Sequence, residues 1–173
     1  MVEEVDLGQH TLIAIGSHEA GRRRQGAHGV STAAELIHRS PCSVLVARAA
    51  SDRFPRSIAV GIDGSPESAA AYAVARYLAR RFDAGLAPIV ATGGDVDERL
   101  VAIILGEHYE QCHGDSVAAL AAWESDLLVV GSRGLHGLKP LGSVSERVAD
   151  EASCSTLIVR GPAWQRVREE LFR

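Results

Sequence analysis

Apolar residues fall along this chain in two alternating rhythms. Short, mainly apolar runs stand at 11–16, 43–48, 57–62, 86–91, 127–130 and 156–159. Runs of this length without polar alternation predict strands of a parallel sheet, buried on both faces. Between them apolar residues return every three or four positions, which predicts helices at about 31–39, 66–83, 96–105 and 116–124. The second helix is the clearest. Ala69, Ala70, Ala73, Val74, Tyr77 and Leu78 share one face, Ser65 suits its N-cap, and Pro66 suits its first position. Asp115 caps the fourth helix in the same way. Pro88 lies inside a strand run and requires a place where one backbone N–H is not needed. Gly93 and Gly94 mark a turn, and 109–113 reads as a short edge strand. Beyond Gly161 and Pro162, residues Trp164, Val167 and Leu171 fall on one face of a short terminal helix expected to pack on the body. The alternation of strand and helix implies right-handed crossovers and an open, mostly parallel α/β sheet with helices on both faces.

One stretch, 127–160, concentrates the candidate chemistry. Its first strand runs into Gly131, and a loop follows that also holds Gly134, Gly137 and Gly142. Ser143 and Glu146 stand at capping-box spacing for the next helix. A strand–loop–helix unit places such a loop at the carboxyl end of the strand, where open α/β sheets take ligands. The free N–H groups of the helix start favour an anion there. Glycines also serve tight turns, and Ser143 serves equally as a cap.

GSRG followed by GSVSERV resembles the phosphate-binding loop of the universal stress protein family, with VGIDGSPESA as a second point of likeness. Gly131, Gly134, Gly142 and Ser143 match the family pattern, although seven residues, not nine, separate Gly134 from Gly142. The resemblance spans about 56–161 and implies an adenine nucleotide alpha hydrolase-like fold. It also implies binding of an adenine nucleotide, ATP with its Mg2+. Asp63 is then expected beside the ribose and metal, and the backbone of Gly131, Gly134 and Gly142 with the Ser143 hydroxyl at the phosphates. The role implied is regulatory and stress-associated; a nucleotide-free scaffold acting through oligomerisation is the alternative. For Asp63 the plain reading is a turn before Gly64.

The first fifty residues repeat half of this unit. IAIGS at 13–17 aligns with LVVGS at 128–132, and PCSVLVAR at 41–48 aligns with SCSTLIVR at 153–160. The expected organisation is therefore a half-repeat at 1–50, a domain at 56–161 and a helical tail at 162–173. The N-terminal loop is altered: Glu19 replaces the second glycine, and Val30 or Ser31 falls at the last Gly–Ser pair. A carboxylate there repels phosphate, so this copy reads as structural. Members of the family pair their final strands about a two-fold axis. The resemblance thus implies that strand 43–48 lies antiparallel beside strand 155–160, in a sheet of about seven strands. Strand 11–16 is left as an apolar edge, and a homodimer is expected to cover it.

Composition narrows the remaining options. A formal charge of −4 offers no general basic field for nucleic acid, and Arg22, Arg23 and Arg24 read as a solvated loop. Three cysteines without a C-x-x-C pattern fit reduced thiols in a cytoplasm. MVEEVDL lacks the apolar core of a secretion signal, and no membrane is expected as a partner. His108, Cys112 and His113 lack a fourth ligand for zinc. His136 and Lys139 lie in the glycine loop within reach of a phosphate. There is no Gly-Lys-Ser/Thr phosphate loop and no evident general base, so slow ATP hydrolysis is the most catalysis expected.

Overall fold

The structure is a computed structural model, and it describes residues 11–16, 32–48, 54–93, 96–106, 108–132 and 144–160. In chain order these form β1 (Leu12–Gly16), α1 (Thr32–Arg39), β2 (Ser43–Ala47), β3 (Ser57–Gly61), α2 (Pro66–Phe82), β4 (Gly85–Ala91), α3 (Glu98–Leu105), β5 (Glu110–Cys112), α4 (Ser116–Ala121), β6 (Leu127–Gly131), α5 (Val144–Glu151) and β7 (Ser155–Val159). The strands make one seven-stranded sheet in the order β1-β2-β7-β6-β3-β4-β5. Every pairing is parallel except β2 with β7. Among the described residues no helix is long and apolar enough to cross a membrane.

The two faces carry separate cores. Ile58, Val60, Val90, Leu127, Val129, Leu157 and Val159 face α2 and α3; Ala59, Ile89, Leu128, Val130, Val44, Val46 and Ile158 face α1, α4 and α5. Burying Ile58, Leu128 and Ile158 fully contributes about 1.5–3 kcal/mol each. Helix α2 lies on the sheet through small residues, Ala70, Ala71, Ala75 and Ala79, which brings its axis close. Ser65 caps it by accepting the Ser68 N–H, and Asp83 ends it in the left-handed region at φ 52°. The third predicted helix starts two residues later than its periodicity suggests. Asp97 takes the cap by accepting the amides of Arg99 and Leu100. The fourth closes early, at Ala121.

Pro88 finds the position its missing donor requires. The Ile89 carbonyl accepts from Ile62 N–H on the β3 side, so the neighbouring Pro88 faces the opposite side, and β5 begins only opposite Ile89. At the other end of β3, the Asp126 carboxylate accepts the amides of Arg56 and Ser57 at 2.7 and 3.1 Å. The Arg56 amide above all holds its pKa below the ordinary carboxylate value.

The antiparallel seam is where the expected strand docking is found. Leu45 pairs with Leu157, the residue aligned with it in sequence, with Val44 opposite Ile158 and Val46 opposite Thr156. Ser155 Oγ accepts Arg48 N–H and Ser43 Oγ accepts Arg160 N–H, both at 3.0 Å. Each guanidinium then crosses the seam to the far helix end. Arg48 donates to the Ala149 and Cys154 carbonyls at 2.7 and 2.9 Å, and Arg160 donates to those of Ile37 and Ser40. A cation at a helix carboxyl end satisfies carbonyls that the helix leaves open and complements its dipole. Burial lowers the pKa of Arg160 below the usual arginine value. His38 Nε2 and Glu146 Oε2 meet at 2.7 Å and join α1 to α5 directly.

Candidate functional site

The carboxyl ends of the parallel strands β3, β4 and β6 lie on one edge of the sheet. Three turns meet there, and local chemistry fixes each of them. After β3, Asp63 Oδ1 accepts Ser65 N–H at 2.8 Å, and the chain turns through Gly64 at φ +86°. A side chain at Gly64 is excluded twice, by that dihedral and by the Asp97 carbonyl 2.6 Å from where a Cβ would stand. The Asp63 carbonyl accepts Asp97 N–H at 2.9 Å, which ties the turn after β3 to the start of α3. After β4, Thr92 N–H reaches the Cys112 carbonyl at 2.9 Å and Thr92 Oγ1 lies 3.0 Å from His113 Nδ1.

After β6, Gly131 is pressed against the first turn of α2: an added Cβ would lie 2.6 Å from the Glu67 carbonyl. Ser145, buried in the first turn of α5, donates its hydroxyl to the Gly131 carbonyl at 2.6 Å. This bond clamps the two ends of the glycine loop together, so the start of α5 stands beside the end of β6. Strand end, glycine loop and helix start are the parts an anion cradle needs.

Of the site residues expected from sequence, Asp63 and Gly131 stand at the ends of the neighbouring strands β3 and β6. Gly134, Gly142 and Ser143 lie outside the described residues, as do His136, Lys139, Glu19, Val30, Ser31, the three arginines at 22–24 and the tail at 162–173. Asp63 takes part in its turn as the Asp-Gly pair suggests, and Gly131 answers a packing demand. Three contributors were not legible. Ser145 was hidden beside the more obvious Ser143. Asp97 lay in a stretch read as already helical. Glu146 reaches His38, a contact between elements distant in sequence. A cleft of about 140 Å³ opens near the same edge between β4, β5 and α3, walled by Val90, Val101 and Tyr109 with Thr92, Glu98 and Gln111 at its polar side.

Comparison with known proteins places these features. Residues 107–160 match the sequence profile of the universal stress protein family. A universal stress protein from Archaeoglobus fulgidus has a similar structure over 92% of this chain, with 19% identity and a TM-score of 0.72. This chain spans 63% of that protein's length. A Pseudomonas aeruginosa protein of unknown function matches over 98% of this chain and 69% of its own length, at 18% identity and a TM-score of 0.65. A universal stress protein in complex with cAMP matches over 61% of this chain and 97% of its own, at 29% identity and a TM-score of 0.53.

Proposed function

Because residues 107–160 carry universal stress protein sequence and the chain has the universal stress protein fold, we propose that it binds an adenine nucleotide, ATP with Mg2+, and acts as a regulatory protein of stress responses. The observation that carries this reading is the clamp between Ser145 and Gly131, which sets the start of α5 against the end of β6 beside Asp63. The neighbour in complex with cAMP supports the nucleotide class. In this reading the backbone of Gly131, Gly134 and Gly142 and the Ser143 hydroxyl hold the phosphates, and Asp63 holds the ribose or the metal. The bound Mg2+ supplies charge neutralisation between phosphates. The chain's own part is to bind and orient, and its setting is cytoplasmic.

A scaffold without nucleotide is the competing reading. It is favoured by the sufficiency of local reasons for Asp63, which forms its own turn, and for Gly131, which admits α2. Calorimetric titration with Mg-ATP and with cAMP, on the parent chain and on Gly142→Val and Asp63→Ala, separates the two. We expect ATP to bind the parent in the micromolar range, about −8 kcal/mol. Gly142→Val should abolish binding with the fold retained, and Asp63→Ala should weaken it less. A parent that gives no heat and releases no nucleotide on denaturation returns the glycines to the role of turn-makers.

A further inference from the structure

We propose that His38 of α1 is a positioning residue for the anion cradle at the start of α5, which rests on the nucleotide reading above: it holds the Glu146 carboxylate toward α1 and off the phosphates. Glu146 stands in the first turn of α5, directly after Ser145, whose hydroxyl closes the glycine loop onto Gly131. A carboxylate there takes up the same positive helix end that would hold a phosphate, and repels one that approaches. Use of this end for phosphate therefore requires that the carboxylate be directed elsewhere. His38 directs it. Its Nε2 lies 2.7 Å from Glu146 Oε2, and since a carboxylate only accepts, the imidazole N–H donates. The Glu146 side chain is 12% exposed, so the contact holds it against α1 rather than in open solvent.

The described arginines of α1, α5 and the seam are committed elsewhere. Arg147 meets Asp115 and Glu151, Arg39 meets Glu35, and Arg48 and Arg160 donate to backbone carbonyls. His38 belongs to the same unit that holds the far end of α5, where Arg48 donates to the Ala149 carbonyl at 2.7 Å. The unit β1–α1–β2 thus grips α5 in its first turn through a carboxylate and in its last through a carbonyl. Likeness between the two units does not produce the first of these contacts. Helices α1 and α5 each run eight residues, and the offset that matches Arg48 with Arg160 matches His38 with Asp150. It also sets Ala33 and Ala34 where α5 has Ser145 and Glu146. Serine clamp and carboxylate therefore occur together, on the helix that follows the glycine loop, and the imidazole that answers the carboxylate comes from across the seam.

Calorimetric titration with ATP, AMP and adenosine, each with Mg2+, tests this on the full chain, on His38→Ala, on Glu146→Gln and on the double variant. His38→Ala should weaken ATP binding about fivefold, the order of one charge at a helix start. The loss should shrink from ATP through AMP to adenosine, because it acts on the phosphates. Glu146→Gln should bind ATP about twofold more tightly than the parent, and the double variant should recover what His38→Ala loses. A histidine that merely braces α1 against α5 would lower all three affinities alike and would not be rescued by Glu146→Gln. Either result overturns the proposal. Should His38→Ala not fold, Glu146→Gln decides alone, and unchanged or weaker ATP binding in it overturns the proposal. A parent that binds no ATP overturns the nucleotide reading and this inference with it, whereas ATP binding that is indifferent to His38→Ala overturns this inference alone.

Discussion

The units β1–α1–β2 and β6–α5–β7 share strand direction, helix placement and the arginine at the end of the last strand, yet among the described residues only the second is covered on both faces. The difference lies in α2. It shields Leu157 and Val159 to 8% and 2% exposure, while the aligned Leu45 and Ala47 stay half-buried. It also turns a glycine into a necessity at 131, whereas a Cβ at Gly16 would meet no atom of the described residues within 4 Å. Similar strand patterns thus acquire different roles from what packs over them. The covered unit has the clamped loop beside Asp63, and the open one joins the sheet through the seam.

The sharpest way to break this comparison is to add one methyl group to each glycine. Gly131→Ala forces a Cβ into the Glu67 backbone and should destabilise by about 3 kcal/mol in denaturant unfolding, the cost of overpacking without a soft neighbour. Gly16→Ala should stay within about 0.5 kcal/mol of the parent. Equal effects would mean that α2 does not distinguish the two units.

Next in size is the arginine exchange across the seam. Arg160→Ala removes a largely buried guanidinium from the end of α1 and should cost about 2 kcal/mol. Arg48→Ala, at the more open end of α5, should cost about 1 kcal/mol. The reverse order would contradict the assignment of the tighter cap to Arg160. Smallest is a gain. Thr156 is fully buried in the seam, with no hydrogen-bond partner for its hydroxyl among the described residues, and valine stands at the aligned position 44. Thr156→Val should raise stability by about 1 kcal/mol, read as a higher denaturation midpoint at unchanged slope.

Much of the fold was legible because apolar runs and helical spacing report burial directly. The alignment of PCSVLVAR with SCSTLIVR led to the antiparallel seam, with Leu45 against Leu157. Helix limits were less legible, since capping depends on one residue: Asp97 moved one start and Ala121 ended one helix early. Sequence placed Asp63 and Gly131 at the carboxyl ends of their strands, where they stand, but did not distinguish a glycine kept for a ligand from one kept for a helix. That distinction needs the neighbour, and Glu67 lies far along the chain from Gly131. The guanidinium exchange and the His38–Glu146 contact were hidden for the same reason, since each joins elements remote in sequence.

The central claim is that a single adenine-nucleotide site belongs to the covered unit, and stoichiometry tests it most directly. Calorimetry of the full chain with Mg-ATP should give one site per chain. That site should vanish in Gly142→Val and persist in Val30→Trp, the corresponding change in the open unit. Two sites per chain, no site, or loss of binding in Val30→Trp would contradict the account.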